Sequence, residues 1–321
     1  MNNKNILLIA PLFHGYELEI SQELEKIGYK VIKINDLSSS FFYKMSTKAK
    51  TKILKNRIES FYSDSIKKLI RLNDIHQVLI IKGVGITSRL IEFLNDNNLE
   101  VKLYQWDSIK NHNYRELIEK CDKVYSFDVN DCKDNVKINY LPLFHSPYAT
   151  YVNEDKEIDI LFIGSYSDFR YKKLKEIRSL TLGSYRTEIY LYIDFFSFFI
   201  QNLIKGKKIK IRDVKFSPLN RKECYFKMKR SKVVIDLPSE YQTGLTMRFF
   251  EAIASQAHII TTFPLCASID QNLQKCYTHL DSDNLMAIPN VILSRENEEY
   301  NTENASMSRY SLRSWLNCLG Y

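Results

Sequence analysis

Glycine and proline are scarce in this chain, with nine and seven among 321 residues. That excludes collagen-like and low-complexity classes, which need far more of both. The six cysteines stand at 121, 132, 224, 266, 276 and 318, and no two share a Cys-x-x-Cys spacing. No histidine lies at zinc-finger distance from them, so free thiols in a reducing compartment are the simplest account. No run reaches the roughly 18 continuous apolar residues of a membrane-spanning helix. The apolar start over residues 6–12 has only Lys4 as a nearby positive residue and no small-residue cleavage site, so no signal peptide is expected. There is no structural repeat; Pro-Leu-Phe-His at 11 and again at 142 is read as chance.

Hydrophobic residues make up 45% of the chain and charged residues 26%, the balance of a globular protein long enough for two domains. The net charge is +8, which suits anionic partners such as nucleotide diphosphates, anionic lipid or nucleic acid. The surplus is spread along the chain and by itself selects none of these. No RNP, zinc or helix-turn-helix signature is present, so nucleic acid is not an expected partner.

Apolar periodicity lays out an alternating order of strands and helices. Residues 5–11 read as a strand buried on both faces, followed by the loop Leu12-Phe13-His14-Gly15-Tyr16, a helix over 17–27 with Gly28 at its C-cap, and a strand over 30–34. This βαβ opening is the start of a doubly wound sheet. Residues 36–74 read as mostly helical, with Ile53, Ile58, Phe61, Ile66, Leu69 and Ile70 at helical spacing and many lysines on a solvated face. Strands follow over 78–81, 101–105 and 123–127, helices over 88–94 and 114–119, and a turn over 128–131. Trp106 and Asp107 fall at a strand's C-terminal end, where open α/β sheets gather ligands. Residues 146–157 read as a linker between domains 1–150 and 151–321.

The second half repeats the alternation. A strand over 158–163 ends in Gly164-Ser165, with Arg170 in the helix that follows. Gly164 allows close backbone approach, and Ser165 and Arg170 can donate to anions. Residues 189–192 and 210–214 read as short strands and 220–230 as a helix. The stretch around which the chain is organised runs from Asp236 to Ala254. An apolar strand over 233–237 enters a polar loop holding Gln242, Thr243, Gly244, Leu245 and Thr246. A helix then opens, with Arg248 and Glu251 three residues apart on one face. The first N–H groups of a helix lack partners and its dipole favours negative charge, so strand, loop and helix start together form a place for an anion. A strand over 258–262, helices over 267–273 and 306–319, and a short strand over 277–280 complete the chain.

Gly244-Leu245-x-x-Arg248-x-x-Glu251-Ala252 resembles the donor loop of GT-B glycosyltransferases. It is most similar to the CgeB-like and related capsule or lipopolysaccharide group, whose loop reads Gly-Leu-x-x-Arg-x-x-Glu-Ala. The stretches Trp106-Asp107-Ser108, Ser126-Phe127-Asp128 and Leu141-Pro142-Leu143-Phe144 resemble the same group. The resemblance implies two Rossmann-like doubly wound domains facing a cleft, with the last helix packing back on the first domain. It implies an enzyme that moves a sugar from a nucleotide-sugar donor to a glycan or lipid-linked glycan acceptor of a surface polysaccharide. It sets Arg248 near the diphosphate and Glu251 near the ribose hydroxyls, a chemistry that suits a guanidinium fork and a carboxylate. Gly164, Ser165, Arg170, Gln242, Thr243, Gly244, Leu245 and Thr246 join them on the donor side; Phe13, Tyr16 and Trp106 are acceptor-side candidates. Many such enzymes carry a second Glu eight positions before the ribose Glu, and here that position is Thr243.

Transfer also needs a base near the acceptor, for which His14, Asp107 and Glu17 are the candidates. Asp107 has an alternative role as a helix cap, and Glu17 as a dipole partner at a helix start. No Asp-x-Asp stands at a strand end of the second domain; Asp281-Ser282-Asp283 falls in a late loop. Neither a metal nor another cofactor is therefore expected. The aromatic segment from Phe195 precedes a basic run reaching Lys232, so 195–232 is a candidate peripheral contact with the inner face of the cell membrane for an otherwise cytoplasmic protein. Its alternative is a core helix followed by a solvated charge run. The competing function keeps the fold and loses the chemistry: a non-catalytic nucleotide- or polyanion-binding component of a polysaccharide assembly complex.

Overall fold

The computed structural model of the protein describes residues 4–150, 154–238, 244–263, 271–295 and 307–321. The chain divides into two compact units. The first contains the residues up to Leu143, Gly244 and the C-terminal Leu312–Tyr321; the second contains the other described residues from Phe144 onward.

The first unit is built from β1 (Asn5–Ala10), α1 (Tyr16–Ile27), β2 (Lys30–Asn35), α2 (Phe41–Lys48), α3 (Lys52–Leu72), β3 (Ile75–Ile81), α4 (Ser88–Asp96), β4 (Glu100–Gln105), α5 (Arg115–Ile118), β5 (Lys123–Ser126), α6 (Val129–Asp134) and β6 (Ile138–Tyr140). Its six strands are parallel in the order β2-β1-β3-β4-β5-β6. The continuous apolar run of β1 is explained by its position: it pairs on both edges, Ile9 facing Ile34 and Ile80, and is covered on both faces. Gly28 ends α1 at φ 106°, a left-handed conformation that suits glycine, and its N–H bonds the last carbonyls of the helix.

Helix α3 lays Tyr62, Ile66 and Ile70 into the core formed with Leu90, Ile91 and the strands. Of the apolar residues at helical spacing over 36–74, Ile53 and Phe61 do not join that face: both side chains point to solvent. A 3.6-residue period fixes which residues share a face but not which of two apolar faces meets the sheet. The turn expected at 128–131 is instead the start of α6. The Asp128 carboxylate accepts from the Asn130 and Asp131 N–H groups, at 3.1 and 3.2 Å. Those bonds make Asp a turn former and an N-cap alike.

The second unit contains β7 (Ile158–Ser165), α7 (Asp168–Thr181), β8 (Thr187–Tyr192), α8 (Phe195–Phe199), α9 (Arg221–Lys229), β9 (Ser231–Asp236), α10 (Met247–Ala254), β10 (His258–Thr261), β11 (Tyr277–His279) and α11 (Ile288–Arg295). Its five parallel strands run β11-β10-β9-β7-β8. Ile160, Phe162, Val233 and Ile235 meet Leu174 and Ile177 of α7 in its core. The strand expected over 210–214 is a 3₁₀ turn, Ile211–Asp213. Asp213 is drawn away from any ladder by Arg178 (2.7 Å) and the Tyr171 hydroxyl (3.0 Å), and Lys215 alone bridges to Tyr192. The segment after β8 is α8 followed by a π-helical turn, Ile200–Ile204. Of the helix expected over 267–273, residues up to 270 lie outside the described residues; Gln271–Cys276 is a 3₁₀ helix.

The last helix, α12 (Leu312–Cys318), belongs to the first unit. Trp315 meets the fully buried Tyr104 edge-on at 4.7 Å, and Arg313 Nε reaches Glu23 Oε1 at 2.6 Å. Lys102 lies buried in β4 with its Nζ 4.2 Å from the centre of the Tyr321 ring and 3.3 Å from Glu100, so the chain end is held by a cation–π contact and an ion pair.

Candidate functional site

In the second unit the strand order is two-one-three-four-five, and the winding reverses between β7 and β9. Open α/β sheets bind ligands outside the C-terminal strand ends at such a reversal. Arg170, from the first turn of α7, spans this point. Its Nε donates to the Leu237 carbonyl at 2.8 Å and its Nη1 to the Ser165 carbonyl at 3.0 Å, tying the ends of β9 and β7 together. Burial, together with the nearby Arg248 guanidinium, pulls the Arg170 pKa down, while Asp236 pulls it back up.

Asp236, the last residue of β9, is buried under this edge. The Thr246 hydroxyl donates to its Oδ1 at 3.1 Å and the Thr261 hydroxyl to its Oδ2 at 3.5 Å. Thr246 also caps α10, its oxygen accepting from the Phe249 N–H at 3.1 Å, so one side chain links the strand end to the helix start. Burial raises the Asp236 pKa above its ordinary 3.8 against the pull of Thr246, Arg170 and Arg248. The native state therefore keeps a proton that the unfolded chain has released, over a window that opens at 3.8 and closes at the higher folded value. The contribution to stability is greatest in acid below that window and is lost as pH rises through it. In urea titrations from about pH 4 to about pH 8, the stability of Asp236→Asn relative to the parent should rise with pH. A difference that falls with pH would reverse the assignment.

Arg248 and Glu251 lie where a three-residue helical spacing puts them, with Nη1 and Oε2 3.1 Å apart. Glu251 is 1% exposed. Its Oε1 accepts from the Tyr225 hydroxyl at 3.0 Å and lies 3.6 Å from Arg221, and Arg221 in turn bonds the Tyr225 hydroxyl. A carboxylate between two guanidinium groups and a phenol is an anchor for those groups. Arg221 and Tyr225 share a face of α9 at four-residue spacing, yet nothing in their local pattern points to a partner a whole strand and loop further along.

Of the other donor-side candidates, Gly164, Ser165 and Leu245 belong to the second unit and Gly244 to the first. Gly164 and Ser165 end β7, and Leu245 is buried just before α10. Gly244 lies against Phe127, where a Cβ would run into the Phe127 carbonyl oxygen and ring, so no side chain fits. Gln242 and Thr243 lie outside the described residues.

The first unit has its own reversal, between β1 and β3, and the sequence candidates gather there. Phe13, in the loop after β1, stacks on Tyr16 at 6.1 Å and meets Trp106, from the end of β4, at 5.8 Å; Tyr16 and Trp106 rings are 6.4 Å apart. His14 adopts φ 53° and packs its ring edge-on against Phe13 at 4.6 Å. Glu17 is buried at the start of α1 and accepts from the Phe13 N–H at 3.4 Å, which closes the loop onto the helix. Asp107 does not cap the next helix; it pairs with Lys82 at 2.5 Å.

Lys82 follows β3 at φ 63°, and its carbonyl accepts from Gln105 Nε2 at 2.8 Å and lies 3.1 Å from His112 Nε2. Burial, with Lys82 adding to it, lowers the His112 pKa. Asp36, at the end of β2, accepts from the N–H groups of Ser38 (2.9 Å) and Val84 (3.1 Å) and so fixes the loop after β3. Asp36, Lys82 and His112 escape sequence reasoning because their contacts join separate strand ends. Among the described residues no group of three or more His, Cys, Asp or Glu is placed to hold a metal ion.

A scan of protein-family models finds no match to this sequence, and a search of curated proteins finds none either. Solved structures do match over nearly the whole chain. A glycosyltransferase from Rickettsia africae superposes with a TM-score of 0.60 at 13% identity, covering 99% of this chain and 97% of its own. A trehalose-6-phosphate synthase gives 0.62 at 11% identity, with 99% and 98% covered. The UDP-GlcNAc 2-epimerase of Methanocaldococcus jannaschii, solved with UDP-GlcNAc and UDP, gives 0.57 at 12%, with 99% covered of each. At such identities the likeness is one of fold: the chain has the GT-B fold, with two parallel-sheet Rossmann-like domains.

Proposed function

We propose that this protein is a nucleotide-sugar enzyme, a glycosyltransferase acting on a surface-polysaccharide acceptor of the kind suggested by the CgeB-like resemblance. The observation that carries the reading is the pair Arg170 and Arg248 at the winding reversal of the second unit, beside the capped start of α10. Guanidinium forks and helix N–H groups suit a diphosphate, both in the bound donor and in the departing nucleotide. No metal is invoked. Glu251 acts in this proposal through Arg248, as a positioning residue, because its carboxylate is already engaged by three side chains. The ribose contact implied for it by the resemblance would have to share that carboxylate. The acceptor is assigned to the aromatic group of Phe13, Tyr16 and Trp106, with His14, Glu17 and Asp107 as the base candidates. Asp107 is the weakest of these, since its pairing with Lys82 holds it in a salt bridge. The exposed side chains Phe195, Phe196, Phe199, Leu203 and Ile204, next to the basic run that reaches Lys232, support a peripheral membrane contact through 195–232.

The test is thermal stability against a panel of nucleoside diphosphates and nucleotide sugars, followed by product analysis with the stabilising donor. A specific ligand raises apparent stability by mass action. The expected result is stabilisation and release of free nucleotide when a glycan acceptor is added. The fold it shares with 2-epimerases favours one rival: conversion of the sugar to its C2 epimer with the nucleotide still attached. Stabilisation without either reaction would support the non-catalytic binding component, and no stabilisation by any member would remove the donor site.

A further inference from the structure

In the first unit, α2 and α3 form a helical hairpin whose outer side is apolar and ringed with positive charge. Phe41 is 68% exposed and Phe42 71%, with Met45 beside them; on α3, Ile53 is 76% and Phe61 77% exposed, with Leu54 between. The geometry makes these a face and not a scatter. Residues 41, 45 and 48 share one side of α2, and residues 53, 57 and 61 share one side of α3. The opposite sides carry the packing. Tyr43 and Ser46 are buried on α2, Tyr62 and Ile66 on α3, and the Tyr43 hydroxyl bonds Glu59 at 2.8 Å across the hairpin.

The charge along most of this face has one sign, with Asp64, one turn past Phe61 and 3.8 Å from Lys67, as its acidic member. From residue 37 to residue 58 the sequence holds Lys44, Lys48, Lys50, Lys52, Lys55 and Arg57 and no Asp or Glu. Glu59, the first carboxylate after this stretch, is held by Tyr43 and lies 3.6 Å from Lys55. Protein interfaces are depleted in lysine and charge at their core, whereas a helix lying in a lipid interface combines bulky apolar side chains with a Lys- and Arg-rich border. We infer that the α2–α3 hairpin docks on the surface of an anionic phospholipid bilayer, with Phe41, Phe42, Ile53 and Phe61 entering the headgroup boundary and the lysines meeting lipid phosphates. This contact is separate from the one assigned to 195–232 and does not depend on the nucleotide-sugar reading.

The experiment is flotation of the full chain with vesicles of phosphatidylcholine alone or mixed with phosphatidylglycerol, without nucleotide. The expected result is binding to the mixed vesicles only, declining as salt screens the lysines. Two double variants, Phe41→Ser with Phe42→Ser and Lys44→Glu with Lys48→Glu, should each weaken binding by about tenfold or more. All four side chains are exposed, so unchanged circular dichroism is expected to confirm the fold. Phe195→Ser with Phe196→Ser should leave part of the binding intact. Absence of vesicle binding, or wild-type binding by both hairpin variants, would overturn the inference. Nucleotide-induced stabilisation measured on the same variants is expected to be unchanged and reports separately on the donor site.

Discussion

An Arg248→Ala protein is expected to bind the stabilising nucleoside diphosphate about 30- to 100-fold more weakly than the parent, the order of effect for removing a charge-assisted partner from a partly desolvated site. The guanidinium is placed for this by its own helix. It rises from the first turn of α10, with its Nη1 held 3.1 Å from Glu251 and 3.4 Å from the Met228 sulfur. Arg248→Lys should recover only part of the loss, because an ammonium keeps the charge and gives up the planar fork. Titration calorimetry with the diphosphate, after hydrogen exchange has shown β9 and α10 protected as in the parent, measures the effect. An unchanged dissociation constant in the Ala variant would take the donor assignment away from this edge of the sheet.

Glu251→Ala should instead unfold the second unit more easily, by about 3 kcal/mol, with Glu251→Gln intermediate. The carboxylate is almost inaccessible and holds Arg248, Arg221 and the Tyr225 hydroxyl together. Removing it leaves two poorly solvated guanidinium groups side by side, whereas Arg248→Ala leaves the carboxylate with Arg221 and Tyr225. The two variants therefore separate the roles: loss of ligand with the fold retained for Arg248, loss of stability for Glu251. Both tryptophans, Trp106 and Trp315, lie in the first unit, so fluorescence would report on the wrong half. Hydrogen exchange along β9 and α10 in rising urea is the appropriate measurement. A loss below about 1 kcal/mol would mean that the carboxylate is dispensable to the unit, and the positioning role would fall with it.

Both predictions bear on how the proposed donor site would be built without a dedicated phosphate loop. The winding reversal leaves a gap at the ends of β7 and β9, and Arg170 bridges that gap through two main-chain carbonyls. Asp236 sits behind it with a raised pKa, so the edge presents cationic groups backed by a carboxyl that burial keeps nearer neutrality. The first unit uses the same reversal differently. There the loop after β1 and the end of β4 bring Phe13, Tyr16 and Trp106 together beside the Lys82–Asp107 pair, a surface suited to stacking on a sugar ring more than to holding a phosphate.

Much of this was legible in the chain alone, where the signal is local. The buried runs of β1, β3 and β7, the Gly28 cap and the three-residue step from Arg248 to Glu251 follow from periods and spacings that no tertiary contact can change. So does the doubly wound plan, because strands alternating with helices and joined by short loops close in one hand. What the tertiary structure alone decided are the pairings between distant segments. Arg221 and Tyr225 meet Glu251, His112 and Gln105 converge on the Lys82 carbonyl, and Asp213 leaves a predicted strand to meet Arg178, because those groups become neighbours only after the sheet has formed. The same reason explains the outward face of α2 and α3: the sequence holds two apolar stripes on one helix, and only packing against the sheet determines which is buried and which meets the surroundings.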